Sequence, residues 1–192
     1  MRIAYLAELE ARVIADWGHL SSQVTASGVR CVGHVPQVGP KAWLHRFYPG
    51  ISASELDWSE TRMGRPIPAP WREVLEAVAG VNVFIARISL DGLLPGGLMR
   101  RSVDDPGPFS IEDENRTTAH PRALIGPNDF VIGGSSTGSG SLYLLHPDES
   151  VSKLDRDGKE RLAGWSSVEA MLDAEYSAVA AHHDRDGTYR KA

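Results

Sequence analysis

The chain has 192 residues, of which 42% are hydrophobic and 23% are charged, values that are ordinary for a globular domain and exclude a wholly disordered chain. Its formal net charge is −5. No Lys/Arg run is longer than Arg100-Arg101, which argues against a general affinity for nucleic acid, because such binding needs a basic surface that displaces phosphate counterions.

The sequence also indicates a compartment. Cys31 is the only cysteine, so an intrachain disulfide and a thiolate metal cluster are excluded, as is usual in a reducing compartment. Glu8 and Glu10 interrupt the apolar stretch that a signal peptide requires, and no apolar run reaches the length that spans a bilayer. We therefore expect a cytoplasmic protein without a membrane segment.

An amphipathic helix is predicted at the start of the chain. Apolar residues fall close to one face at helical spacing: Ile3, Leu6, Val13, Ile14 and Trp17. Residues 21–40 are rich in glycine and proline, so they are predicted to form a connection with one short strand at residues 29–35.

Two more helices are predicted next. Ser52 and Glu55 have the spacing of a capping box, which starts a helix that runs to about Met63. The second helix has an apolar stripe made of Trp71, Val74, Leu75 and Val78. Gly80 is predicted to be the left-handed residue that follows the end of this helix.

Strand signals dominate the rest of the chain. Residues 83–90 are rich in β-branched and aromatic side chains and are predicted to form one strand. Residues 92–129 contain five prolines and read as a loop, but a structureless loop of this length is uncommon, so short elements are expected within it. Further strands are predicted at residues 130–132, 141–145, 151–154 and 161–165.

A closing helix is predicted after the last strand, with Ser166 and Glu169 as a second capping box. The polar residues after His183 are expected to fray. Helices, then a run of strands, then a helix predict an α+β fold rather than alternating βαβ units. We expect a single domain with an antiparallel or mixed multi-stranded sheet flanked by helices, plus an N-terminal helical extension.

Residues 134–138 (GSSTG) match the G-x-S-x-G pattern of a serine nucleophile, and a triad could be written from Ser136, Asp173 and His182. That pattern needs a helix directly after the serine, whereas here Gly140 and a predicted strand follow. The loop also lacks the lysine of a phosphate-binding loop. A flexible Gly/Ser hairpin loop is the favoured interpretation.

Metal sites are not predicted. Residues 155–158 and 184–187 (both DRDG) resemble fragments of calcium loops, but neither has the closing bidentate glutamate, so both are predicted to be tight turns. His182 and His183 are adjacent on a predicted helix end and therefore point in different directions. We predict no catalytic residue, no metal site and no cofactor.

The middle loop is acidic. Its acidic residues are Asp104, Asp105, Glu112, Asp113 and Glu114. Two interpretations stay open, which are a solvated loop and an acidic patch that steers a basic protein partner. Under the second interpretation these five residues are the predicted contact residues.

Several segments, taken in chain order, resemble motifs of the SUKH superfamily, which includes fungal cell-wall regulators and many bacterial immunity proteins. Residues 67–75 (IPAPWREVL) resemble the family's helix with the pattern I-P-x-x-(aromatic)-x-x-x-L. The other similar segments are residues 80–84, 90–93, 129–143, 151–158 and 163–172. Asp91 and Ser152 stand where an aromatic residue is common in the family, and Gly80 precedes Asn82 instead of following an asparagine.

The resemblance implies a SUKH-like α+β domain at residues 51–183, preceded by the extension at residues 1–50 and followed by a polar tail at residues 184–192. It implies a protein-binding domain and no enzyme, because the family has no established shared active site. Three functions are hypotheses, of which the first two follow from the resemblance and the third rests on residues 134–138 alone. The first is an immunity protein that neutralises a cognate toxin domain, the second is a regulatory adaptor without a toxin, and the third is a serine hydrolase using Ser136.

Overall fold

The computed structural model describes residues 4–93, 107–116 and 123–190, which form one α+β domain. Over these residues, nine antiparallel strands form one sheet in which each strand pairs with the next along the chain. The strands are β1 (Ser22–Val24), β2 (Arg30–His34), β3 (Trp43–Pro49), β4 (Val78–Val83), β5 (Ile88–Leu90), β6 (Phe130–Ser135), β7 (Ser141–Leu145), β8 (Val151–Asp155) and β9 (Arg161–Trp165). The predicted α+β class is confirmed.

Five α-helices accompany this sheet within the described ranges: α1 (Ala4–Trp17), α2 (Ala53–Met63), α3 (Ala69–Ala77), α4 (Ile111–Asn115) and α5 (Val168–Ala180). No helix among the described residues is long and apolar enough to cross a membrane. The capping box at α2 is confirmed, because the Ser52 hydroxyl accepts the Glu55 backbone N–H and the Glu55 carboxylate accepts the Ser52 backbone N–H. The predicted cap of α5 is wrong by one residue, because the hydroxyl of Ser167 accepts the Ala170 N–H at 3.1 Å.

Three predictions about the strands need correction. Residues 1–50 contribute β1, β2 and β3 in addition to α1, whereas only one strand was predicted there. Gly80 does not end a helix, because it lies within β4 at φ +125°, where a Cβ atom would stand 2.5 Å from Pro108. The single strand predicted at residues 83–90 is two strands, because the backbone turns between β4 and β5.

The prediction that the chain frays after His183 is also wrong for residues 184–190. The His183 ring stacks on Phe84 with ring centroids 4.5 Å apart, and the Arg87 guanidinium lies 3.5 Å above the Tyr189 ring. Gly187 packs so closely on the sheet that a Cβ atom there would lie 2.6 Å from Val35. Sequence polarity predicted fraying, but this glycine allows the backbone to reach the core.

The main core lies between the helices and the sheet, and it encloses a histidine of β3. His45 on β3 is fully buried, next to the rings of Trp17, Phe84 and Tyr176. Neither of its ring nitrogens has a hydrogen-bond partner among the described residues. Burial, and secondarily the nearby His183, lower the pKa of His45 to about 3. His45 is therefore neutral in the folded protein at any mild pH.

We predict an acid-dependent loss of stability through His45. The unfolded chain takes up a proton near the ordinary imidazole pKa of 6.5, while the folded state resists it down to about 3. The favourable contribution of neutral His45 is therefore complete above pH 6.5 and is lost as the pH falls, by about 1.4 kcal/mol per pH unit. Urea unfolding of the wild type and of His45→Leu between about pH 7.5 and about pH 4.5 measures this slope.

His45→Leu should flatten the dependence of the free energy of unfolding on pH. A residual slope from His183 should remain, because burial also lowers the pKa of that histidine. The matched control is His19→Gln, since His19 is exposed. Equal acid slopes in the wild type and His45→Leu would show that His45 does not cause the effect.

Candidate functional site

A cleft of about 340 Å³ brings together two features that the sequence singled out separately. One wall is the Gly/Ser loop between β6 and β7, and the other is the start of α4 with Phe109 before it. The turn before β5 contributes Ala86, and the turn after β8 contributes Arg156. The described part of the cleft is therefore built from four segments far apart in the sequence.

Glycines form the floor of the cleft. A Cβ atom on Gly133 would lie 2.0 Å from the carbonyl oxygen of Ser89, and one on Gly134 would lie 2.4 Å from that of Ser141. Side chains are excluded at both positions, so neighbouring strands approach and bare backbone faces the cleft. The prediction that the loop connects two strands of a hairpin is confirmed.

The acidic residues of α4 divide between the fold and the cleft. Asp113 is exposed and Glu114 is partly buried, and both line the cleft. Glu112 is only 3% exposed, and its carboxylate pairs with Arg62 of α2 at 3.0 Å. Glu112 thus joins two helices, whereas Asp113 and Glu114 face the cleft. Two other predicted contact residues, Asp104 and Asp105, lie outside the described residues.

Asn115 fixes α4 against the sheet. Its side-chain amide donates to the carbonyl oxygens of Ile111 at 3.0 Å and Val131 at 2.7 Å, and its side-chain oxygen accepts the Val131 N–H at 2.9 Å. This amide takes the place of a neighbouring strand beside β6, because it pairs with both the N–H and the carbonyl oxygen of Val131. It is only 4% exposed. Asn115 therefore determines where Asp113 and Glu114 lie.

The electrostatics of the cleft are acidic. Its described lining contains the carboxylates of Asp91, Asp113 and Glu114 and one cation, Arg156. Asp91 is only 4% exposed and accepts a long hydrogen bond, 3.4 Å, from the Ser89 hydroxyl. Three carboxylates against one guanidinium favour a cationic group from a partner.

The turn beside the cleft is strained. Phe84, Ile85 and Ala86 have φ values of 53°, 56° and 60°, in the left-handed region that β-branched residues such as Ile85 avoid. Buried Phe84 and a 2.8 Å hydrogen bond from the Ile85 N–H to the Leu44 carbonyl oxygen hold the turn. The β-branched sequence predicted a strand here, but the packing of Phe84 overrides that preference.

The triad written from Ser136, Asp173 and His182 does not assemble. Ser136 lines the cleft, while Asp173 lies on α5 and pairs with Arg12 at 3.4 Å. His182 packs near Tyr189, and no hydrogen bond joins any two of the three. The tight turn at residues 155–158 is confirmed, since the Asp155 carboxylate accepts two following backbone N–H groups.

A different Ser-His-Asp arrangement is present, which the sequence analysis missed. His146 lies 2.8 Å from the Asp129 carboxylate through Nδ1 and 2.7 Å from the Ser152 hydroxyl through Nε2. The three residues come from the start of β6, the end of β7 and the start of β8. Only the cross-strand register brings them together, so no local motif marks them.

We predict that Asn115→Ala lowers the free energy of unfolding by about 2–4 kcal/mol, because three buried hydrogen bonds are lost and Val131 keeps unsatisfied backbone groups. Urea unfolding measures the loss, and hydrogen exchange should show faster opening of α4. Asp113→Asn, on the exposed side of the same helix, is the control and should leave stability nearly unchanged. A loss below about 0.5 kcal/mol in Asn115→Ala would contradict the role of this amide.

We also predict that Ile85→Asn raises the free energy of unfolding by about 1 kcal/mol, because asparagine tolerates the left-handed conformation. Thermal unfolding measures the change. Ile14→Asn is the matched control, since Ile14 is 49% exposed and Ile85 is 40% exposed, but Ile14 lies in α1 and should lose stability. A loss of stability in both variants would argue against strain at Ile85.

No family model matches the chain. No curated protein matches it either. The function is therefore proposed from the geometry of the cleft and from the motifs of the sequence.

Proposed function

We propose that the chain is a protein-binding domain that neutralises a cognate toxin domain by direct contact, and that the cleft beside α4 is its contact surface. One observation carries the proposal. Asp113 and Glu114 stand on the wall of a preformed cleft, and Asn115 holds their helix rigidly on the sheet. A surface built in this way can accept a partner without being ordered first, which reduces the entropic cost of binding.

The charge of the cleft indicates the partner's chemistry. A toxin domain that attacks nucleic acid needs a basic surface for phosphate contacts. The carboxylates of the cleft complement such a surface, and complementary charge raises the association rate. An inhibitor that covers the toxin's basic residues would also block access of the nucleic acid.

The binding mode needs no catalytic step at this cleft. Ser136 lines the cleft, whereas His182 packs near Tyr189 and Asp173 pairs with Arg12, so neutralisation is proposed to act by occlusion. A chain with one cysteine suits a reducing compartment, and we propose that the two proteins meet in the cytoplasm. The resemblance to SUKH immunity proteins supports the same proposal.

The experiment is co-expression of the chain with the product of a neighbouring toxin-encoding reading frame. We predict that the wild type restores growth and binds the toxin, and that the double variant Asp113→Lys/Glu114→Lys associates at least about tenfold more slowly at low salt. The effect should shrink as salt rises, because salt screens exposed charges. Stopped-flow association at two salt concentrations measures both quantities.

Glu73→Lys is the control, since Glu73 is exposed on α3, away from the cleft. It makes the same type of charge change and should keep the wild-type rate. If both variants keep the wild-type rate while the wild type binds, the contact surface lies elsewhere. If the neighbouring frame encodes no toxin and a regulatory protein binds instead, the adaptor function replaces the immunity function.

A further inference from the structure

We propose that Ser152, His146 and Asp129 form a second site, separate from the cleft, at which Ser152 accepts an acyl group from a small carboxylic ester. The inference is independent of the proposed function. Its basis is the hydrogen-bond geometry of the three residues and their surroundings on the sheet.

The hydrogen bonds give each residue the role that nucleophilic catalysis requires. The Ser152 hydroxyl lies 2.7 Å from His146 Nε2, within reach for proton transfer. His146 Nδ1 lies 2.8 Å from Asp129 Oδ1, which orients the ring and favours the tautomer with a proton on Nδ1. Asp129 is fixed in turn, because its other carboxylate oxygen accepts the Gly126 N–H at 2.7 Å.

The register of the sheet places the site on the face away from α5. Ser152 pairs with Leu144, and its neighbour Lys153 points to the opposite face, where its ammonium group binds Glu175 of α5 at 2.8 Å. Side chains alternate between faces along a strand, so Ser152 lies on the other face. A small apolar cluster that includes Leu144 occupies that same face.

An arginine stands beside the serine. Gly164 of β9 is directly opposite Ser152, and a Cβ atom on Gly164 would lie 2.3 Å from a terminal nitrogen of Arg161. The guanidinium therefore occupies the space of the missing side chain, across the strand pair from Ser152, and its Nε donates to the Ala163 carbonyl oxygen at 3.4 Å. A guanidinium in this place can stabilise the negative oxygen that forms when a serine attacks a carbonyl group. The glycine makes this placement possible.

A groove of about 350 Å³ passes beside His146. Its apolar walls are Leu145 and the rings of Pro66, Pro68, Pro70, Pro127 and Pro147. Proline rings are rigid, so the groove is preformed for an apolar acyl or alcohol group. Ser152 itself is 2% exposed and is not among the residues that line the groove, so an acyl group from the groove must pass His146 to reach the serine.

The reaction balances with water as the only co-reactant. The Ser152 oxygen attacks the ester carbonyl and passes its proton to His146 Nε2, which gives that proton to the departing alcohol. Ser152 then carries the acyl group. Water, deprotonated by His146, attacks this acyl group, and the proton returns to the serine oxygen as the carboxylic acid leaves.

A fluorophosphonate probe and p-nitrophenyl acetate test the site on the full chain. We expect one covalent adduct per molecule, mapped to Ser152 by peptide mass spectrometry. Ser152→Ala should abolish the adduct, whereas Ser136→Ala, which removes the serine of the G-x-S-x-G pattern, should leave it unchanged. His146→Gln should slow labelling at least about a hundredfold. Circular dichroism would establish that each variant is folded.

Absence of an adduct on Ser152 in the folded wild type would overturn the proposal, as would equal labelling in Ser152→Ala. Asp129 is a positioning residue, and proton NMR tests this role. The Nδ1–H of His146 should give a far-downfield resonance, which Ser152→Ala should keep and Asp129→Asn should lose. Asp113→Lys/Glu114→Lys should not change labelling. Failure of this site is therefore distinguishable from failure of toxin binding.

Discussion

The position of the candidate surface depends on how the backbone of β6 is satisfied at Val131. β5 is short and pairs with β6 only at Gly133 and Gly134, so Val131 is paired with β7 on one side but has no strand partner on the β5 side. A buried peptide group without a hydrogen bond is costly, and Asn115 supplies both a donor and an acceptor there. The short helix that carries Asp113 and Glu114 is consequently attached to the sheet as firmly as a strand. Asn115 also begins a glycosylation sequon, but its amide is wholly occupied in the fold.

The sequence predicted what depends on local periodicity. Helices α1, α2, α3 and α5, strands β6 to β9 and the cap at Ser52 follow from apolar spacing and turn chemistry, and the structure confirms them, although Val78, predicted to belong to α3, lies in β4. The missed features depend on distant packing. Ile85 belongs to a sequence typical of a strand, but the burial of Phe84 beneath His183 bends the backbone there. Residues 184–190 pack on the sheet through Gly187, where a Cβ atom would lie 2.6 Å from Val35. The need for a glycine is visible only once the position of Val35 is known.

The candidate sites were predictable to different degrees. Asp113 and Glu114 stand out by their charge, and the Gly/Ser loop stands out by its composition, but nothing in the sequence indicates that they share one cleft. The Ser-His-Asp arrangement of Ser152, His146 and Asp129 depends entirely on strand register, which is not visible in a single sequence. The prediction of a chain without enzymatic activity remains a prediction, and labelling of Ser152 in the Ser-His-Asp arrangement tests it directly.

The order of the strands has a consequence for the kinetics of folding. Because every strand pairs with its neighbour in the chain, the sheet can grow strand by strand with small losses of chain entropy, and long connections separate only β3 from β4 and β5 from β6. The two terminal helices are the exception, since the Trp17 indole donates to the Tyr176 hydroxyl across a separation of 159 residues. Docking of α1 on α5 closes a loop that contains all nine strands described. The ribosome synthesises α1 before the strands and α5 after them, so the sheet can assemble during synthesis before α1 can dock on α5.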